Sequence, residues 1–475
     1  MAHPLPRRAF AVPILAVLAG CAIGPNYKRP DTSAPSSYRG ADAAGNAAAG
    51  EMEWWDLYRD PRLAELIRAS LSGGFDARIA AARVAESRAV AAQVHGQRFP
   101  GLGYEANADR GRNAQLGNPY TQGNGTTANG FDAYLGAAWE LDLWGRVRRL
   151  DEAARSQYLA TEEGRRAVLI SLVGDVATAY YELLELDEEL STAKEATQSL
   201  GESLALFNRQ LEGGTASRLD TASAEAAVAT SAARIPDIER RIAIKENQIS
   251  VLVGANPGPV IRGARLSELA APPEVPPGLP SALLERRPDV REAEYAAMAA
   301  NARIGVTLGG FLPRIGLSAL LGGVSPQLDS ITSRRAGLWS VGGQATGPLF
   351  QGGGLEGQYE QARSAWEAAK LQYQQAALNA FADVANALVT RQKLSEVRAQ
   401  QERAVLAYQE AAKLSVQRYK AGKASYYEVI QSQLALFPAQ VALAQTRRDQ
   451  FTAVVALYKA LGGGWGGDNK GPGQR

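Results

Sequence analysis

The chain is poor in the side chains that carry most catalysis and metal binding. Its 475 residues include two histidines, His3 and His95, one cysteine, Cys21, and three methionines. So few ligands exclude zinc fingers, cysteine nucleophiles and multi-histidine metal centres, and a lone cysteine excludes an internal disulfide framework. Neither sign of charge dominates, with 51 Lys and Arg against 49 Asp and Glu. Without an excess or a long basic run, nothing draws the whole chain to nucleic acid. No run of 18 apolar residues follows the N-terminus, so no spanning helix is expected. Paired carboxylates remain as catalysts, but no pair sits in a recognisable motif. Gly352-Gly353-Gly354 lacks the Lys-Ser/Thr of a phosphate loop. The composition points to structure or transport, with no catalysis and no cofactor.

What is present begins with an address. Arg7-Arg8, the apolar run Ala9–Leu18 and the small residues before Cys21 make residues 1–20 a signal peptide. The run is too short to span a bilayer. Leu18-Ala19-Gly20-Cys21 resembles the lipobox of bacterial lipoproteins, in which the cysteine is acylated. Cys21 is therefore the expected lipidation site. Ala22 after it, rather than Asp, resembles outer-membrane sorting. Residues 21–59 then form a lipidated, extended N-terminal segment.

The remainder is written twice. Phe75-Asp76-Ala77-Arg78 returns as Pro288-Asp289-Val290-Arg291 at an offset of 213. Gly214-Thr215-Ala216-Ser217-Arg218-Leu219-Asp220 returns as Gly422-Lys423-Ala424-Ser425-Tyr426-Tyr427-Glu428 at 208, and Val253-Gly254 matches Leu461-Gly462 at the same offset. The pattern predicts one repeat over 60–269, a proline-rich linker over 270–280, a second repeat over 281–464 and a polar tail over 465–475.

Each repeat reads helix, hairpin, long helix, turn, returning helix. The first helix is expected over Asp60–Arg98 and its twin over Ser281–Gly310, each stopped by a proline, Pro100 or Pro313. The period then changes to two. Leu102, Tyr104, Ala106 and Ala108 alternate with Gly103, Glu105, Asn107 and Asp109. Ala133, Leu135, Ala137, Trp139 and Leu141 alternate likewise on the return, giving a hairpin over 100–144. Ile315, Leu317, Ala319 and Leu321, then Trp339 and Val341, repeat this over 313–350. One apolar and one polar face over about ten residues fits a membrane barrel strand, and fits a half-buried soluble strand equally well. On the barrel reading, Tyr104, Trp139 and Trp339 share the outward parity and mark the lipid–water boundary. Each long helix is about 67 residues without a proline, roughly 100 Å.

Four strands cannot close a barrel, and open edges are not tolerated in lipid. Copies of the chain must pool strands. Two copies give eight strands and no useful lumen; three give twelve, and a ring of twelve helices leaves a lumen of roughly 28 Å. Three is sensible rather than forced.

Several motifs resemble one family, the TolC-like outer membrane factors, in the branch of the OprM/NodT-like efflux lipoproteins. They are the lipobox with Gly24-Pro25-Asn26-Tyr27-Lys28-Arg29-Pro30, Trp54-Trp55, and Gly278-Leu279-Pro280-Ser281 with Leu284-Glu285-Arg286-Arg287-Pro288-Asp289-Val290. Trp139-Glu140-Leu141-Asp142-Leu143-Trp144-Gly145-Arg146 and Leu457–Trp465 agree. The resemblance implies a mainly α homotrimer. Its 12-stranded outer-membrane barrel would continue into a 12-helix periplasmic tunnel, docked to an adaptor and an inner-membrane pump of the resistance-nodulation-division class. It implies an exit duct for drugs or other small toxic compounds. Ducts for type I protein secretion or metal efflux are alternatives within the class, and a lipid-tethered periplasmic coiled-coil scaffold is one outside it.

By the same resemblance, two tips meet the adaptor: Gly213, Gly214, Thr215, Ser217, Leu219 and Asp220 in the first repeat, and Gly422, Lys423, Ser425 and Tyr426 in the second. Glu428 and Gln431, three apart on one helix face, are expected to line the periplasmic gate. The sequence departs from the family pattern at Gln431, where an acid is common, at the doubled Gly213-Gly214, and at Pro438. A proline there is expected to kink a helix that the family keeps continuous.

Overall fold

The computed structural model describes residues 22–39, 60–112, 127–272 and 280–463. The signal peptide, Cys21, Trp54-Trp55, most of the linker and the tail lie outside the described residues. The elements in order are α1 (Pro61–Gly73), α2 (Phe75–Gly96), β1 (Gly101–Arg112), β2 (Thr127–Leu141), α3 (Arg146–Glu212), α4 (Arg218–Ala232) and α5 (Arg234–Leu252), then α6 (Pro280–Arg286), α7 (Pro288–Gly309), β3 (Arg314–Ser325), β4 (Gly337–Thr346), α8 (Gly354–Lys420) and α9 (Tyr426–Ala460). The chain divides into two units. One holds Met1–Pro30, Val84–Thr161 and Glu292–Tyr373, with the sheet; the other holds Asp31–Arg83, Glu162–Arg291 and Gln374–Arg475.

In the first unit the four strands form one antiparallel sheet in the order β1-β2-β3-β4. The two hairpins are joined by β2 and β3, whose register sets Leu135 opposite Leu321. β1 pairs with β2 and β4 with β3, so among the described residues each outer strand has one open edge.

In the second unit α3 carries much of the core. Tyr180, Tyr181 and Leu183 are fully buried, and Tyr181 stacks on Phe451 of α9 with ring centroids 4.8 Å apart. Asp60 caps α1 by accepting from Arg62 N at 2.9 Å, ahead of Pro61, a residue pre-set for a first helical turn. Its other oxygen accepts from the Tyr180 hydroxyl at 3.0 Å, which ties the helix start to α3.

Three details differ from the expectation. Each opening helix is two helices, parted at Gly74 in the first repeat and at Arg287 in the second. Pro288 has no N–H and disfavours helix in the residue before it. A Cβ on Gly74 would lie 2.4 Å from Ser70 O and 2.9 Å from Leu252 O, so that corner is closed to larger residues. The returning helix of the first repeat is also broken, at Ala233, where the ring of Pro236 would meet the carbonyl of Ala232. Finally, α9 continues as one helix through Pro438 for 35 residues, so the proline does not end it.

Arg287 at the second break is a hub. Its guanidinium is buried and donates to Asp289 at 2.6 and 2.8 Å, to Asp383 at 2.9 Å and to Ala460 O at 3.3 Å. Burial opposes the charge of Asp289, but the hydrogen bonds from Arg287 prevail and hold its carboxyl below the usual range.

Candidate functional site

The sheet carries the first candidate surface. Residues directly opposite on neighbouring antiparallel strands share a face. The register therefore aligns Tyr104, Leu135, Leu321 and Trp339 in one row across all four strands. Leu102, Ala137, Ala319 and Val341 form the next row, and Trp139 opposes Leu317 in the one beyond. Tyr104 is 86% exposed, Trp339 74% and Val341 77%, an apolar face that the described residues leave open. The opposite face is richer in small and polar residues. Gly103, Gly136, Leu320 and Ser340 align there, and Asn107 donates to Glu105 at 2.9 Å and to Asp132 at 3.0 Å.

At the base of β2 the motif Trp139–Arg146 acquires physical reasons. Trp139 Nε1 donates to Arg98 O at 3.0 Å and Trp144 Nε1 to Pro313 O at 2.8 Å. Glu140 takes two hydrogen bonds from Arg146, at 2.8 and 3.0 Å. Asp142 accepts from the backbone of Val147 and Arg148 at 2.9 and 2.8 Å, satisfying the first free N–H groups of α3. Gly145 takes φ +78°, and a Cβ there would lie 2.6 Å from Ala22. The residue after Cys21 is thus pressed against the strand-to-helix junction. Beyond it, Arg149 holds Ile23 O, Gly24 O and Asn26 Oδ1 at 3.1, 3.2 and 2.7 Å, and Asn301 donates to Pro25 O. Gly24 and Gly305 meet backbone to backbone. Tyr27 sits edge-on to Trp366; burial first, then the charge of Glu294, pushes its phenol up.

The two turns form the other candidate surface, and they are built alike. α3 ends with Gly214 N donating to Leu211 O and Thr215 N to Gln210 O; α8 ends with Gly422 N donating to Tyr419 O and Lys423 N to Arg418 O. This is the Schellman closure, and it requires the left-handed glycines at φ +73° and +70°. Gly213 lies one residue inside the first closure, donating to Arg209 O at 3.1 Å. Ser217 and Ser425 then cap α4 and α9, each in a capping box with the acid three residues on, Asp220 or Glu428. Leu219 is 69% exposed. Tyr426 is half-buried, set edge-on to Phe207 with Tyr419. The Tyr419 hydroxyl donates to Gln210, and burial followed by the charge of Asp220 raises its phenol. The structure thus brings the two turns together in one cluster of Phe207, Tyr419, Tyr426 and Ile430.

Phe207, Gln210 and Tyr419 were not among the expected tip residues. Phe207 lies seven residues after Leu200 and continues its apolar stripe, a signal the sequence did contain. Glu428 and Gln431 are both exposed on α9. The Glu428 carboxylate reaches Ser425 N at 3.4 Å and lies 4.0 Å from Arg418.

Residues 66–255 and 279–463 match the family model described as outer membrane efflux protein. The solvent efflux pump outer membrane protein SrpC of Pseudomonas putida is 35% identical over 459 residues, covering 95% of this chain and 97% of that protein. The cation efflux system protein CusC of Escherichia coli is 31% identical over 452 residues, covering 94% and 96%. The solved outer-membrane channel OprN superposes with a TM-score of 0.86 at 30% identity, over 94% of this chain and 100% of that one. These matches cover both repeats and nearly the whole chain, and the chain belongs to the outer membrane efflux protein family, with the TolC-like fold.

Proposed function

We propose that the chain is one third of a passive exit duct without catalysis, closed by two further copies and docked to a periplasmic adaptor and an inner-membrane pump. One observation carries the assembly: the repeat leaves complementary faces open. Within the chain, α3 of the first repeat packs on α9 of the second. Their counterparts at an offset of 208 are α8 and the α4–α5 pair, whose corresponding faces are more exposed. Ile170 on α3 is 8% exposed, whereas its counterpart Leu378 on α8 is 61% exposed. Tyr181 and Phe451 are buried, whereas their counterparts Val389 and Ala243 are half-buried and exposed. Two different open faces on one chain call for head-to-tail contact, which gives a ring when the rotation between copies closes. The open edges of β1 and β4 require the same. Cysteines at Val389 and Ala243 together are expected to give a covalent trimer under oxidation, and neither alone should. Absence of any cross-linked species would refute this arrangement.

The apolar rows of the sheet support a lipid-facing wall, with Tyr104, Trp139 and Trp339 as its aromatic members. The place of Ala22 against Gly145 supports acylation of Cys21, since it would set the acyl chains beside the end of the barrel wall. Loss of palmitate labelling in Cys21→Ser is the expected result, and undiminished labelling would exclude that site. The paired turns support adaptor docking, and their shared cluster supports concerted contact by both. The exposed face of Glu428 and Gln431 supports a polar gate, in which three Glu428 carboxylates would face one another. With two histidines and three methionines in 475 residues, small organic compounds suit the duct better than metal cations.

A further inference from the structure

A carboxylate that no part of the duct reading uses lies deep in the second unit. Glu185 on α3 is 2% exposed, between the Tyr181–Phe451 stack and the apolar contact of Leu186 with Phe437. Among the described residues one of its oxygens, Oε1, has no hydrogen-bond partner, and the other accepts only a long bond of 3.4 Å from Arg448 of α9. Arg448 is itself held more closely by Asp449, at 2.8 Å. The other charged groups facing this seam have closer partners, although Glu188 Oε2, like Glu185 Oε1, has none among the described residues. On α3, Glu182 is bonded by Lys245 of α5 at 2.6 Å and Glu189 by Arg241 of α5 at 3.0 Å. Arg447 of α9 holds Glu188 at 3.2 Å and lies 3.8 Å from Glu402 of α8. Glu185 is the member of this network left with the poorest bonding and the deepest burial.

We infer that Glu185 is a proton-sensitive latch on the seam between the two repeats: protonated, it lets α9 close on α3, and ionised, it loosens that contact. The geometry gives the reason. An ionised carboxylate here keeps one oxygen unbonded away from water, a cost that protonation removes. Burial, partly offset by Arg448, pushes its pKa up to about 7, with Glu189 and Glu182 adding to the rise and Arg241 opposing it. A folded-state pKa above the unfolded value places the full stabilisation below pH 4.5, and it is lost as pH rises through about 7. Acid therefore tightens the seam. Histidine cannot imitate the effect, because His95 belongs to the other unit and His3 lies in the signal peptide.

The test is amide hydrogen exchange on the full-length protein in detergent between pH 6 and pH 8, corrected for intrinsic exchange. Segments 181–189 and 444–452 are expected to be protected about tenfold better at pH 6 than at pH 8, from a pKa of about 7 in the closed seam and about 4.5 in the opened one. Glu185→Gln, a neutral isostere, should be well protected at both, while Glu189→Gln should keep a pH dependence. Wild-type protection independent of pH in these segments would overturn the inference without recourse to any variant. Wild-type pH dependence persisting in Glu185→Gln would overturn it equally, by assigning the titration to another group.

Discussion

Arginine at both Leu135 and Leu321 is expected to abolish outer-membrane assembly. The two leucines oppose one another across the β2–β3 pairing, and each is 64% exposed. Their row joins Tyr104 to Trp339 across the sheet. An arginine on a lipid-facing barrel position costs about 2–4 kcal/mol at the bilayer midplane. Two at opposed positions add mutual repulsion, and a ring of three chains would carry six. Marginal stabilities of 5–15 kcal/mol do not absorb that. Separating inner- and outer-membrane fractions should show the double variant missing from the outer membrane. Ser318→Arg, on the opposite face of the same sheet, should still insert. Normal insertion of the double variant would mean that this face does not meet lipid.

The parity of that face was legible in the sequence, because a period of two is a local property of each strand. Its rows were not. That Leu135 opposes Leu321 depends on pairing between residues nearly two hundred positions apart, and nothing local fixes such a register. The same division runs through the helices. Ser217 with Asp220 and Ser425 with Glu428 announce helix starts by their spacing alone. The break at Arg287 was written in Pro288, and that at Gly74 in Gly73-Gly74, but the long apolar periodicity around each concealed them. The importance of Arg287 itself was hidden, since its partners Asp383 and Ala460 lie 96 and 173 residues away. Not every proline marks a break: α9 continues as helix through Pro438, whereas the returning helix of the first repeat breaks three residues before Pro236. Glu185 was invisible for a related reason. A glutamate in a long polar-flanked helix looks solvated until the helices that cover it are known.

Gly422→Trp is expected to end export while leaving the assembled protein in the membrane. Gly422 stands at φ +70° in the closure of α8, and a Cβ built there meets nothing within 4 Å. The added indole would therefore project from the turn instead of pressing on the chain's own core. A non-glycine residue in this conformation costs roughly 1–2 kcal/mol, too little to unfold helices held along their length by tertiary packing. The cap of α9 at Ser425 lies three residues on and keeps its bonds to Glu428. What changes is the outline of the tip, at the place where we propose that an adaptor's backbone approaches. Gly422→Asn separates the two effects, because asparagine tolerates the left-handed region with little bulk. Drug susceptibility in a strain dependent on this duct should rise to the level of the deletion for Gly422→Trp and stay near wild type for Gly422→Asn. Equal loss in both variants would assign the defect to backbone strain. Full export by Gly422→Trp would remove this turn from the docking surface, and with it the reading of the paired tips as one contact.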